Sequence, residues 1–236
     1  MKTFDKLVII LANIFLLIVA IWAMTVPLTS SKKFYLYEFE KNNTITVTGY
    51  AQEELDSITD TIVDYLMDKK SSMQIVIDDL PVFSNQAINH MADVKNIYVK
   101  GKIIAIVCLF LLVLSIVYIV FRYKLLKTIL FKYSLVTISV ILAVCLVFGV
   151  YAFLNFDKAF TFFHHVIFPN EQKFNDAFFS YTSNYPELPG VNNLMLVKIL
   201  DVKLFMDAGI AIGGFVVFIE TLWFAFLLVL KRKIPN

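Results

Sequence analysis

Three histidines, His90, His164 and His165, are the only imidazoles in a chain of 236 residues, and all three fall outside its long apolar runs. Imidazole is the side chain best suited to proton transfer near neutral pH, so the polar segments that carry these residues are where chemistry is expected. In VFSNQAINHMADVKNIY, Ser84 can cap a helix that begins near Asn85. On that helix His90, Asp93, Val94 and Ile97 share one face by their i, i+3, i+4 and i+7 spacing. Asp93 is then placed to orient His90. A carboxylate that accepts the proton of one ring nitrogen fixes the tautomer and leaves the other as a base, the logic of histidine-based acyl transfer. The same spacing also describes a solvated amphipathic helix with a surface histidine.

The second segment reads FLNFDKAFTFFHHVIFPNEQKF. Phe156, Phe160, Phe163 and His164 form one helical stripe, and Asp157 lies two turns before His164. Nine of the 23 phenylalanines fall between Phe153 and Phe179, a density that suits contact with acyl chains. An interfacial aromatic belt is the other reading, although Trp and Tyr are the usual belt residues.

These segments need elements to position them, and composition says which. The chain is 59% hydrophobic, with a mean hydropathy of +0.74, which places it among integral membrane proteins. Four apolar runs, Leu7 to Val26, Ile103 to Val120, Leu135 to Leu154 and Ala208 to Leu230, each approach or exceed the roughly 18 to 20 residues that cross about 30 Å of hydrocarbon. The first is longer than the roughly 7 to 15 apolar residues of a signal peptide, and no cysteine follows it. It reads as a retained anchor, with Ala20 and Ala23 the feature that favours cleavage.

Charge sets the orientation. Lys2, Lys6, Arg122, Lys124, Lys127, Lys132, Lys231, Arg232 and Lys233 flank the spans on one side with a single acid, Asp5, whereas the two other segments, Pro27 to Lys102 and Asn155 to Asp207, hold twelve basic and seventeen acidic residues. Both termini are therefore expected in the cytoplasm. The expected organisation is spans at 7–28, 102–121, 134–154 and 208–230, a cytoplasmic loop at 122–133, an extracytoplasmic cap at 29–101, and an extracytoplasmic loop at 155–207. Within that loop, Leu194 to Phe205 reads as an interfacial helix. The fold class is an α-helical integral membrane protein of four transmembrane helices with a mixed cap. No nucleic-acid partner is implied.

In the cap, Thr44 to Thr48 reads as a short β segment, Ala51 to Met67 as a helix with an acidic start, and Met73 to Ile77 as a second strand. A straight helix from Asn85 into the second span would put His90 roughly 20 Å above the apolar run; a bend at Gly101 would bring it to the interface. Cys108 and Cys145 lie inside spans and read as small apolar groups. No Gly-rich phosphate loop, GxSxG elbow or internal repeat is evident.

FSNQAINHMADVK before the second span and FDKAFTFFHHVIFPNE after the third resemble the two signature blocks of the bacterial lipoprotein intramolecular transacylases. The resemblance implies four transmembrane helices in a bacterial cell membrane and an extracytoplasmic active site with two essential histidines. It implies transfer of the sn-2 acyl chain of a diacylglyceryl lipoprotein to the α-amine of its N-terminal cysteine, giving a lyso-form lipoprotein. By position the two histidines are His90 and His164. Asp93, Asp157, Asn170 and His165 take supporting places, and Phe160, Phe163 and Phe168 acyl-chain contacts. The implied partners are diacylglyceryl lipoproteins and membrane lipids, and no cofactor is needed. The chain departs from the family pattern at Ala87, in place of an acidic residue, at Phe174, in place of a Trp, and in a longer stretch from Asn175 to Asn193.

Two other readings compete. His90, Asp93, His164 and His165 offer ligand types that zinc accepts, as in a membrane lipid or peptide hydrolase, but adjacent helical histidines point about 100° apart. Glu220, within the last span, is the best support for a transport subunit or scaffold. Its other expected role is a hydrogen bond to a neighbouring helix through a group such as Asn13.

Overall fold

The structure, a computed structural model, describes residues 3–168 and 194–233. Four helices are long and apolar enough to cross a membrane: α1 (Thr3–Ser30), α5 (Asn85–Phe121), α6 (Tyr123–Leu154) and α9 (Val202–Lys233). The chain is a multi-pass membrane protein. Between these helices lie α2 (Lys32–Lys41), α3 (Thr44–Thr48), α4 (Gln52–Leu66), the strands β1 (Val76–Ile77) and β2 (Leu80–Pro81), α7 (Phe156–Ile167) and α8 (Met195–Ile199). The chain divides into a spanning unit, residues 1–25, 100–154 and 209–236, and a histidine-bearing unit, residues 26–99 and 155–208.

In the spanning unit a core of Ile9, Leu112, Leu126, Ile138 and Leu227 joins all four long helices. Hydrocarbon offers no solvation to polar groups, which favours bonds between those that enter it. Asn13 Nδ2 donates to the Ile9 carbonyl at 2.7 Å and to Ser134 Oγ at 3.2 Å, and its Oδ1 accepts from Trp223 Nε1 at 3.0 Å. Asn13 thus bonds to Ser134 and Trp223 and not to Glu220. Glu220 is fully buried, and neither of its carboxyl oxygens has a hydrogen-bond partner among the described residues.

About two turns earlier on α1, buried Asp5 accepts from the Tyr118 hydroxyl and from Arg122 Nη1, both at 2.7 Å. Arg122 is the only residue between α5 and α6. The segment 122–133, expected as a loop, is therefore helical from Tyr123 onward. It holds no Gly or Pro to break a helix, and its Leu126, Ile129 and Leu130 turn into the core while Lys124 and Lys132 stay exposed. Helix α5 runs unbroken through Gly101. A glycine suits that position because any Cβ would overlap the Trp22 indole.

In the histidine-bearing unit, Leu55, Ile58, Ile62 and Leu66 of α4 pack with Tyr35 and Phe39 of α2, Phe83, Met91 of α5, and Ile199 of α8. Helix α4 starts where expected, with Glu54 accepting from the Ala51 backbone N–H at 2.7 Å. The segment Thr44–Thr48 forms α3 instead of a strand. Asn43 and Gly49, both at positive φ, bound it, and it packs on α2 and α8. Its β-branched residues favour a strand only where a partner strand exists. The strand expected at Met73 to Ile77 shrinks to β1, paired antiparallel with β2. Asp78 and Asp79 between them have φ of 50° and 61°, the two left-handed residues of a tight hairpin turn. The stretch Leu194 to Phe205 divides into α8 and the first turn of α9. An ion pair of Lys41 with Asp207, beside the buried Glu38, ties α2 to the start of α9. Burial first, and then the Asp207 carboxylate, push Glu38 above the usual carboxylate range.

Candidate active site

Ser84 caps α5 as its position predicts: its Oγ accepts from the Ala87 N–H at 3.2 Å and its carbonyl from the Ile88 N–H at 3.0 Å. Ala87 and Met91 are buried by this start of the helix, which sets His90 in a half-buried position before the apolar run. Asp93, one turn on, is exposed. Burial lowers the His90 pKa to about 4, and the Asp93 charge works against that shift without cancelling it. Desolvation wins because an imidazolium loses more by leaving water than an exposed carboxylate returns to it.

Helix α7 brings the second histidine. It begins one residue after α6, with Asp157 in its first turn and His164 and His165 in its last, a charge order that suits the helix dipole. Ala159 is buried, Phe156, Phe160 and His164 are half-buried, and Phe162, Phe163, His165 and Val166 are exposed. His164 Nδ1 lies 2.9 Å from the Phe160 carbonyl oxygen. A carbonyl only accepts, so Nδ1 carries the proton and Nε2 becomes the proton-accepting nitrogen of the neutral ring. A backbone carbonyl one turn back thus sets the tautomer of His164. Asp157 is itself exposed, and its own carbonyl accepts from Thr161 Oγ1 at 2.8 Å.

The structure brings His90 and His164 together from segments more than seventy residues apart. Their ring centroids are 6.3 Å apart, with planes inclined by 24°. Phe168 touches both, at 5.2 Å from His90 and 5.7 Å from His164. Phe160 lies 4.1 Å from His164 with its ring tilted by 55°, and Phe163 meets it edge-on at 5.9 Å. Phe160, Phe163 and Phe168, the residues expected to contact the acyl chain, all have their rings beside that of His164. His165 is exposed, about 100° around the helix from His164. Asn170 lies outside the described residues, as do Phe174 and the stretch from Asn175 to Asn193. Among the described residues no three His, Cys, Asp or Glu side chains converge as a metal site.

Two parts of the site went unmarked by motif or composition. The Phe160 carbonyl follows from its i−4 position relative to His164, a register that could have pointed to it. Phe205, on the first turn of α9, packs 5.2 Å from Phe160. It stands forty-five residues away in sequence, and no local signal marks it.

Among known proteins, the family model described as "Lipoprotein intramolecular transacylase Lit" matches residues 8–175, well over half of the chain. No curated protein matches it. The solved in meso structure of the membrane-integral lipoprotein intramolecular transacylase Lit from Bacillus cereus is similar at 20% identity and a TM-score of 0.71, over 99% of this chain and 100% of that one. Two variants of the Bacillus cereus protein, with one histidine replaced by arginine or by alanine, give TM-scores of 0.68 and 0.69 at 20% identity. They cover 98% of this chain and 94% and 96% of their own. At that identity the likeness is one of fold.

Proposed function

The chain belongs to the lipoprotein intramolecular transacylase family, and from that premise we propose that it moves the sn-2 acyl chain of a diacylglyceryl lipoprotein onto the α-amine of its N-terminal cysteine. It is an acyltransferase that acts on lipoproteins. The observation that carries the finer reading is the facing pair of imidazoles, His90 and His164, 6.3 Å apart within a wall of phenylalanine rings.

The reaction forms an amide N–C bond and breaks the glyceryl O–C bond, while one proton passes from the amine to the leaving alkoxide. His164 suits the base: with Nδ1–H bonded to the Phe160 carbonyl, Nε2 takes the amine proton as nitrogen attacks the ester carbonyl. His90 suits the donor. Burial keeps it neutral near pH 7, and a neutral imidazole N–H can polarise the carbonyl and stabilise the developing oxyanion, as neutral histidine does in other enzymes. Collapse of the tetrahedral intermediate then returns the proton held on His164 to the glyceryl oxygen. Because amine and ester belong to one lipopeptide, the transfer needs no second substrate and gains from proximity. The positive-inside pattern supports a cytoplasmic location for both termini and an extracytoplasmic location for the site, in a bacterial cell membrane.

Mass spectrometry of the N-terminal lipopeptide, in cells without other N-acylating enzymes, tests the reading. Wild-type protein should convert a free-amine, diacylglyceryl form to an N-acylated form of unchanged mass, and His164→Ala should not. Product formation at the wild-type rate in a His90→Ala, His164→Ala double variant would sink it.

A further inference from the structure

We propose that Phe156, Phe160 and Phe205 form the track on which the transferred acyl chain lies, and that Phe205 sets its length preference; the inference rests on the transacylase reading above. An ester carbonyl at His164 leaves its alkyl chain to be covered by something apolar. One face of α7 supplies it. Phe160, one turn before His164, is 4.1 Å from its ring, and Phe156, a further turn back, is 5.9 Å from Phe160. Phe205 flanks the middle of this ladder at 5.2 Å from Phe160, inclined by 42°.

Phe156 and Phe160 are half-buried and Phe205 is 39% exposed, so the rings keep area for a ligand. From His164 back to Phe156 the helix rises roughly 12 Å at about 1.5 Å per residue, enough to follow the proximal half of a palmitoyl chain. Lys158, Thr161 and His165 fall on the other side of α7 by helical periodicity. The Phe156 end of the ladder begins directly after a membrane-crossing helix, with only Asn155 between them. An alkyl chain leading from the ester toward the lipid phase fits that order, and a soluble polar partner does not.

Diacylglyceryl lipopeptides that differ only in the sn-2 chain, hexanoyl, decanoyl or palmitoyl, test the track. A hexanoyl chain ends beside Phe160, at the near edge of Phe205, whereas the longer two run across the whole of that ring. Phe205→Ala should therefore lower kcat/KM for decanoyl and palmitoyl substrates on the order of tenfold, with hexanoyl transfer little changed, since contact with one or two methylenes is worth about that much. Equal losses for all three chains, or none, would overturn the proposal. A palmitoyl analogue carrying a diazirine at mid-chain gives a second measurement, on the wild-type protein and without turnover. Crosslinks at Phe205 or Phe156 support the track, and crosslinks confined elsewhere refute it. If no chain yields N-acylated product with wild-type protein, the transacylase reading fails, and the crosslinks still decide where an acyl chain binds.

Discussion

The spanning unit and the histidine-bearing unit handle buried polar groups in opposite ways. In the first, Asn13 bonds to both Ser134 and Trp223, and Asp5 gathers Tyr118 and Arg122, with Glu220 the buried exception that lacks a partner among the described residues. Each such network joins two or more long helices and fixes their register. In the second, His90 and His164 are positioned mainly by ring contacts with Phe160, Phe163 and Phe168, and one backbone carbonyl sets the tautomer of His164. Side-chain bonding stabilises the helix bundle; aromatic packing holds the two imidazoles.

The strongest way to test this contrast is to remove each kind of group in turn. His164→Ala or His90→Ala should lower transfer by roughly 10²- to 10⁴-fold, the range for a positioned acid or base, with no large change in thermal stability. The double variant should be little worse than the weaker single one, because the pair acts as a unit. Asp5→Ala should do the reverse. It leaves Arg122 and the Tyr118 hydroxyl without their shared acceptor, seen as a lower unfolding midpoint with kcat retained at low temperature. A comparable loss of kcat at that temperature would erase the distinction between the units.

Gly101→Ala sharpens the comparison within the spanning unit. The added methyl meets the Trp22 indole, and overpacking of this sort costs roughly 1 to 3 kcal/mol. Pairing it with Trp22→Leu should restore most of the melting temperature, whereas no restoration would place the strain elsewhere.

The smallest expected effect concerns acid. His90 titrates at about 4 in the fold and at about 6.5 when unfolded. Between these values the unfolded chain binds more protons, so this contribution is complete above pH 6.5 and is lost as pH falls toward 4. His90→Gln should flatten the decline in melting temperature over that window; an unchanged profile would mean that His90 is not held neutral by burial.

Much of the fold was legible because a bilayer imposes long apolar runs, and each of the four runs lies in a helix long enough to cross one. The ends were less legible. Residues 122–133 read as a loop because they are basic, yet lysines on an amphipathic helix can reach water while Leu126 and Leu130 pack inward. In the same way ITVT reads as a strand by its side chains, and α2 and α8 make it a helix.

For the site, residue types and local spacing determined the candidates, His90 and His164, and the helices that carry them, since periodicity and capping are local properties. Only the tertiary structure decided that the two rings face each other, that the Phe160 carbonyl sets the tautomer of His164, and that Phe205 joins the wall. Those contacts, apart from the carbonyl one turn back, join segments far apart in sequence. They are selected by which apolar surfaces pack together, and no short window of residues encodes that choice.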